Sequence, residues 1–400
     1  MASAPAWQSL ELPQFKGVTG WEFTELKGFD LAAYETATAG EYAEVEPVFE
    51  RPQDAVVLRQ ADHGWTKTET AGEDPARPLV MPLSQAVEEH GDLVDAHLGK
   101  IVTAGESAFV ARNASEWEGG AFVYVPRNVK VEAPVLLDVL QTQAQTALNW
   151  RVLIVLEEGA EAEVWEQQLS TAPGTVNLVA EIVVGANARL RFVTAQGLDE
   201  QSYIFGTQRA KVAADGRLDW VVLGFGSGNG KIFQNTILDG EGAEGKVTGA
   251  YATRGRQHLD FDTTQEHAAA NCNSDLAFRG ILNGRSSAVW RGMIKVDHGA
   301  QQTDAFQESR NLLLSKKAHA DAIPGLEILA DDVRCTHAAA IAQIDPDQLF
   351  YLRARGLDEE VASRLVVEGF LAELVERFEA GPVRDALATA LERRLEAVLA

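Results

Sequence analysis

Residues 151–193 read RVLIVLEEGAEAEVWEQQLSTAPGTVNLVAEIVVGANARLRFV. Arg151-Val152-Leu153-Ile154-Val155 and Leu190-Arg191-Phe192-Val193 are rich in β-branched and other apolar residues, the composition of strands. Between them stand two turn signals, each followed by alternating polar and apolar residues. One is Glu158-Gly159-Ala160-Glu161-Ala162-Glu163-Val164; the other is Val184-Gly185-Ala186-Asn187-Ala188-Arg189-Leu190. The pattern extends outward. Asp215-Gly216-Arg217-Leu218-Asp219-Trp220 and Asn283-Gly284-Arg285-Ser286-Ser287-Ala288-Val289 echo it. Upstream, Phe122-Val123-Tyr124-Val125 and Val135-Leu136-Leu137-Asp138-Val139 have the same strand character. Gly159, Gly185, Gly216 and Gly240 fall 26, 31 and 24 residues apart. Loose repetition of this kind is what a coiled β-structure gives, with one turn of the coil per repeat. Strand edges then remain unpaired only at the two ends of the coil. A β-sandwich is the competing reading, since some turn signals recur every 8 to 12 residues, roughly the spacing such a fold needs. A βαβ fold needs helical patterns between strands, and residues 120 to 340 show none.

Texture changes on either side of this core. Residues 1–120 are mixed and read as an irregular α/β cap. Within it Met81–Lys100 carries apolar Leu83, Val87, Leu93, Val94 and Leu98, with Ser84 placed to cap a helix. Residues 346–400 read as helical. Pro346 can open a first turn after Asp345, Gly356 can end it, and Asp358-Glu359-Glu360 places acid at the start of the next helix. Val361, Leu365, Phe370, Leu371, Leu374, Val375 and Phe378 form one apolar stripe; after Gly381-Pro382, Leu387, Leu391, Leu395 and Val398 form another. The two stripes are expected to pack on each other and on the β core, with part left for another protein. The expected organisation is thus 1–120, a β core over 121–345, and a helical unit over 346–400.

Composition narrows the function classes. Against 35 basic residues stand 59 acidic ones, a net charge of −24. Phosphate backbones and anionic membranes both demand Lys and Arg, so nucleic acid and membrane surfaces are poor partners. No run of about 18 apolar residues suggests a membrane span. The N-terminus has no basic region followed by an apolar stretch, so no secretory signal is read there. The two cysteines, Cys272 and Cys335, do not make a disulfide framework and fit a reducing cytoplasm. Without a C-x-x-C pair, the chain alone cannot supply a four-thiolate site.

Several constellations could carry chemistry. Cys335-x-His337 would put a thiolate and an imidazole on one strand face, both donors suited to iron or zinc. The plain alternative is a small buried cysteine beside an unrelated histidine. His258, Asp260 and Asp262 also share a face, with His267 and Cys272 following; a solvated outer face is the favoured reading. Asp331-Asp332 with Glu327 resembles a hydrolytic acid pair, but no aromatic sugar-binding groove accompanies it. Gly224–Gly230 (GFGSGNG) is glycine-rich yet lacks the Lys-Ser/Thr ending of a phosphate loop and reads as a turn. No G-x-S-x-G elbow is present.

One long segment adds a resemblance. Ser309-Arg310-Asn311-Leu312-Leu313-Leu314-Ser315, Ala320-Asp321-Ala322-Ile323-Pro324-Gly325-Leu326-Glu327-Ile328, Ala330–His337 and Asp345–Gly356 follow one another as in the SufB/SufD family of iron–sulfur cluster assembly proteins. Weaker matches in the right order are Leu12-Pro13, Gly20–Thr24 and Gly120–Pro126. The chain is most similar to the SufD branch, because it lacks the mid-core cysteine of SufB-like chains around Val221–Gly230. A departure is Ala338-Ala339-Ala340, where the family usually carries Gly or Ala-Gly and then Thr.

The resemblance implies a right-handed parallel β-helix core with an N-terminal α/β cap and C-terminal helices. It implies a non-catalytic scaffold that pairs with a SufB-like chain and binds a SufC-like ATPase. A nascent iron–sulfur cluster would form at the SufB interface, where the family's histidine falls on His337 and a frequent cysteine falls on Cys335; both would touch metal transiently. Phe350, Tyr351, Arg353, Arg355 and Gly356 fall in the ATPase-binding region. A sulfur donor system of the SufE or SufU kind and reduced flavin are further implied associates of the complex, and the isolated chain can form a homodimer. No nucleotide site is expected here. A β-helix polysaccharide lyase or hydrolase, and a purely structural subunit, remain as alternatives.

Overall fold

The computed structural model describes residues 6–13, 17–52, 54–67 and 78–399. From Ala121 onward the chain alternates between two sheets, laying one strand in each per turn. The first sheet runs from Ala121–Val125 through Thr146–Leu156, Thr175–Val184, Tyr203–Val212, Asn229–Leu238, His258–His267 and Ser287–Val296 to His319–Ile328. The second runs from Val135–Gln141 through Glu161–Ser170, Arg189–Gly197, Arg217–Gly224, Glu244–Thr253, Asn273–Leu282 and Asp304–Leu313 to Arg334–Gln343. All these neighbours are parallel and in register, giving a β-helix of about 8 turns.

Alternation along each strand decides what enters the lumen. Leu148, Trp150, Val152 and Ile154 point in from one sheet, and Val164, Phe192, Trp220 and Val247 from the other. Aromatics stack down the axis against residues lacking a Cβ: a methyl at Gly249 would overlap the Phe278 ring. One corner is a column of left-handed residues, Asn128, Gly159, Asn187, Asp215, Gly242, Asn271 and Gln302. Gly, Asn and Asp tolerate that conformation best. Each N–H in the column donates to a carbonyl one turn further on, as Gly159 N does to Ala186 O at 2.8 Å and Asn187 N to Ala214 O at 2.9 Å. The glycine spacing seen in the sequence therefore mixed corner positions. Gly159 is equivalent to Asn187, Asp215 and Gly242, not to Gly185, Gly216 and Gly240. Residues 224–230 close a strand, turn the opposite corner and enter the next strand.

Among the described residues, six α-helices flank the β-helix: α1 (Leu83–Glu89), α2 (Gly91–Asp95), α3 (Ala108–Glu116), α4 (Pro346–Ala354), α5 (Glu359–Val375) and α6 (Pro382–Leu399). The expected single helix over Met81–Lys100 is two short ones, broken at His90. Ser84 does not cap it; α1 starts at Leu83 directly after Pro82, without a side-chain cap. Glu181 anchors this region to the sheet. Fully buried, it pairs with Arg151 at 2.7 Å and accepts from the backbone N–H of Gly99, Ile101 and Val102.

The C-terminal helices fold back on the outer face of the second sheet. Val367, Leu371, Leu374 and Phe378 of the α5 segment, with Leu387, Leu391 and Leu395 of α6, bury Val221, Ala250, Ala277 and Ile281. The last carbonyls of α6 are capped by the core: Arg254 donates to Ala397 O at 2.6 Å and Asn283 to Val398 O at 2.7 Å. Of the α5 stripe, Val361 and Leu365 stay exposed.

Candidate functional site

The two ends of the β-helix differ. At the N-terminal end each sheet finishes in an antiparallel strand, Leu79–Pro82 against Ala121–Val125 and Gly64–Lys67 against Val56–Ala61. At the C-terminal end His319–Ile328 and Arg334–Gln343 have a paired neighbour on one side only among the described residues. Their unpaired edges offer N–H and C=O groups to another chain. Pro324 sits in one of these edge strands, where its missing N–H is least costly.

Register shows which side chains of the last turn face the lumen. Ala305, Gln307, Ser309 and Asn311 are buried inward-facing residues, and they pair with Cys335, His337, Ala339 and Ile341. On the facing strand Ala320, Ala322, Pro324, Leu326 and Ile328 continue the inward column. Nothing in the described chain covers this turn. Leu326, Ile328 and Ile341 are 38%, 39% and 44% exposed although their column belongs to the interior.

Cys335 and His337 therefore share one face, separated by about 7 Å along the strand. Cys335 is half-buried over Ala305 beside Val333 and Ala330. Burial first, and then the charge of Asp304, push its thiol above the ordinary value. His337 is exposed. Among the described residues no three His, Cys, Asp or Glu side chains come together as a metal site, so these two donors complete no metal shell alone. Cys272, by contrast, is buried at a corner with its Sγ 3.3 Å from Gly240 O, a packing position.

The other constellations resolve as structure. His258, Asp260 and Asp262 do share an outer face, but it is covered rather than solvated. Thr24 donates to Asp260 at 2.6 Å, buried Lys231 pairs with Asp260 at 2.8 Å, and Arg291 joins Glu22 at 2.7 Å. The segment Gly20–Thr24 is thereby strapped onto the sheet, with Trp21 packed on Phe109, Phe205 and Phe233. Sequence reasoning missed Lys231, because its partners lie one turn away and the strap more than 200 residues upstream; a charge column at turn spacing, Lys231 then Asp260, was the available signal. His267 lies inside the lumen, donating to or accepting from Ser274 at 2.8 Å, and burial pushes it down to about 4. Asp331 and Asp332 are exposed corner residues, Asp332 engaging Gln301 and Gln302. A groove of about 760 Å³ on the outer face of the second sheet is lined by acids and arginines. Those arginines are spent on adjacent carboxylates, Arg191 on Asp219 at 3.0 Å and Arg217 on Glu244 at 3.2 Å.

A second open surface adjoins the last turn. Helix α4 has no buried residue; Phe350 is 75% and Tyr351 55% exposed. Arg355 stacks over the Tyr351 ring at 4.5 Å and Arg353 pairs with Glu359 at 3.2 Å. Gly356 takes φ +94, which ends α4 and lets α5 start from the Asp358 cap. A cleft of about 770 Å³ runs between α4, α5 and the last strand, past Leu312, Ala342, Tyr351, Leu365 and Phe370. Arg279 and Arg310 both reach Glu373 of α5, tying that helix to the last turns.

Comparison with known proteins agrees with this geometry. The family model described as SUF system FeS cluster assembly, SufBD core domain, matches residues 139–370, and that of the SufBD protein N-terminal region matches residues 55–137. The chain is 35% identical over 317 residues to the iron-sulfur cluster assembly protein SufD of Bacillus subtilis, covering 78% of this chain and 72% of that protein. It is 30% identical over 290 residues to SufBD family proteins of Staphylococcus epidermidis and Staphylococcus aureus, covering 72% of this chain and 62% of theirs. The match thus spans less than two thirds of the staphylococcal proteins' length. Among the described residues no helix is long and apolar enough to cross a membrane. Two family models in tandem, a parallel β-helix with one open end, and a SufD at this identity lead to one conclusion: the chain belongs to the SufBD family of the SUF iron–sulfur cluster assembly system and is SufD-like.

Proposed function

We propose that the chain works as a non-catalytic scaffold subunit that pairs with a SufB-like chain through its open end and binds a SufC-like ATPase through α4 and the start of α5. The observation that carries this reading is the asymmetry of the two ends. The N-terminal end finishes in short antiparallel strands with Leu58, Val80 and Met81 buried, while the other leaves two ten-residue edge strands with exposed Leu326, Ile328, Ile341 and His337 and a half-buried Cys335. A partner β-helix docking there would satisfy the edges and bury Leu326, Ile328 and Ile341. It would also bring further donors to Cys335 and His337, since a nascent cluster held at the joint needs more than one thiolate and one imidazole. Phe350, Tyr351, Arg353, Arg355 and Gly356 form the ATPase surface. The cluster is transient cargo shared with the partner, and reduced flavin in the complex would sit outside this chain. The working compartment is the cytoplasm.

Anaerobic co-expression with SufB-like and SufC-like partners tests the proposal, followed by iron and sulfide analysis of the purified complex. Co-purification with His337→Ala showing loss of cluster and an intact complex is the expected result. Failure of the three chains to co-purify would overturn the assembly. An intact complex with undiminished cluster in His337→Ala would leave a purely structural subunit.

A further inference from the structure

The N-terminal end of the β-helix, remote from the last turn, carries a pocket of about 380 Å³ lined by His63, Trp65, Ser84, Glu88, Trp117 and Glu118. It lies between the turn joining Val56–Ala61 to Gly64–Lys67, helix α1 and the segment that follows α3. The turn fixes His63. Asp62 takes φ +50, and its carboxylate accepts from Thr142 N at 3.0 Å and Gln143 Nε2 at 3.2 Å. His63 N donates to Thr38 O at 3.1 Å. The His63 side chain is only 1% exposed, yet neither ring nitrogen has a hydrogen-bond partner among the described residues. Glu118 Oε2 stands 3.6 Å from Nδ1, too far for a hydrogen bond. Burial pushes the imidazole below its ordinary value, against the charges of Glu118, Asp62 and Glu116, so the ring is mostly neutral at pH 7. A buried imidazole with an unused lone pair is costly, and native interiors seldom leave one.

The rest of the wall selects the donor that completes it. Trp65 is 42% exposed, and half-buried Trp117 packs on the cluster of Met81, Leu83 and Phe122. Glu88 and Glu118 are exposed, and among the described residues neither is paired with a lysine or arginine. Two carboxylates repel an anion, and an apolar ligand would leave the imidazole unpaired. Among the described residues no three metal donors converge. A neutral sugar can stack on indole but leaves both charges unmatched. A guanidinium meets every feature: its planar face stacks on indole, while its in-plane N–H groups reach a carboxylate and the imidazole lone pair together. The chain's net charge of −24 also draws cationic ligands. We propose that this pocket binds an arginine side chain presented by a partner peptide or protein, with Trp65 and Trp117 against the guanidinium, Glu118 and Glu88 matching its charge, and His63 accepting one of its N–H groups. The proposal is independent of the open end and of Cys335 and His337.

The test is a titration of the full chain, labelled with ¹⁵N-tryptophan, with N-acetyl-arginine methylamide at about pH 7.5, where an ordinary imidazole is neutral. The indole ¹H–¹⁵N signals of Trp65 and Trp117 are identified by their loss in Trp65→Phe and Trp117→Phe. Both are expected to move along one saturation curve, with a dissociation constant on the order of 1 mM for so small a probe. N-acetyl-citrulline methylamide, isosteric but neutral, and glucose should leave them in place. N-acetyl-lysine methylamide should bind several-fold more weakly, because an ammonium lacks the planar fork. Glu118→Gln and His63→Leu should each weaken arginine binding about fivefold. Should His63→Leu lose the dispersed indole spectrum of a folded chain, Glu118→Gln at its exposed position decides alone. No movement at about 10 mM arginine probe, tenfold above the expected constant, overturns the proposal. Equal movement with citrulline or glucose, a lysine probe that binds as tightly, or undiminished affinity in Glu118→Gln overturns it as well.

Discussion

Replacing Glu166 with glutamine should make the protein more stable, and increasingly so as pH rises. Glu166 faces the lumen two residues beyond Val164, between Leu137 and Thr194 of the adjacent strands, with none of its surface exposed. Burial pushes its carboxyl up to about 8, against the neighbouring N–H groups of Trp150 and Gln168, which act in the opposite direction. Among the described residues no cation is paired with it. An acid whose folded pKa is raised contributes stability that is complete below its unfolded pKa and is lost as pH climbs through the folded one. From 4.5 unfolded to about 8 folded, linkage gives a loss of ~1 kcal/mol at pH 5, ~3 at pH 7 and ~5 at pH 9. The substituted amide cannot ionise and keeps an oxygen to accept from Gln168. Urea unfolding of both proteins at several pH values between 5 and 9 is the assay. The stability advantage of Glu166→Gln should widen by roughly 4 kcal/mol across that range. A difference that stays flat with pH would show that the Glu166 carboxyl ionises as readily in the fold as in the unfolded chain, and the reasoning would fail.

Other perturbations have expected outcomes of different kinds. Glu181→Ala removes the buried partner of Arg151 and the acceptor of three backbone N–H groups; a loss of about 3–5 kcal/mol in chemical denaturation is expected. Gly249→Ala forces a methyl against Phe278 and should cost about 1–3 kcal/mol, read from the thermal midpoint. With its thiol pushed above the ordinary value of 9.0, Cys335 should react with iodoacetamide at a rate still climbing through pH 9, while Cys272 stays inert until unfolding. In an assembled complex, ATP should speed Cys335 labelling by opening the joint at the last turn; equal rates with and without ATP count against that motion. Phe350→Ser with Tyr351→Ser should abolish ATPase binding and leave the unfolding free energy within about 0.5 kcal/mol of wild type, because neither side chain is buried.

How much of this was legible in the sequence depended on how local the signal was. Strands such as Arg151–Val155 declared themselves through β-branched runs, and the repeat through turn residues at loosely regular spacing. The corner equivalence was not legible, because Gly, Asn, Asp and Gln all serve at the left-handed position and glycine alone misleads. Cys335 and His337 on one face followed from the period of a strand. That their face is the inner one at an uncovered end required knowing which turn is last. The buried cluster around Lys231 was invisible for a different reason: its polar residues look like a solvated face until a segment from the far N-terminus lies over them. Likewise the α5 stripe looked uniform, but Val361 and Leu365 at its start stay exposed while Leu371, Leu374 and Phe378 are buried.

The corner column of left-handed residues also restricts how this molecule can change in length. Each N–H in the column meets a carbonyl of the following turn, yet the corner itself lengthens by one residue from 213–216 to 239–243 while the strands on both sides stay paired in register. Whole turns of about 28 residues, the spacing from Arg189 to Arg217, can be gained or lost without breaking that match. Size variation among proteins built this way should therefore come in complete turns, in small changes of corner length that keep the left-handed residue and its bond, or at the two ends.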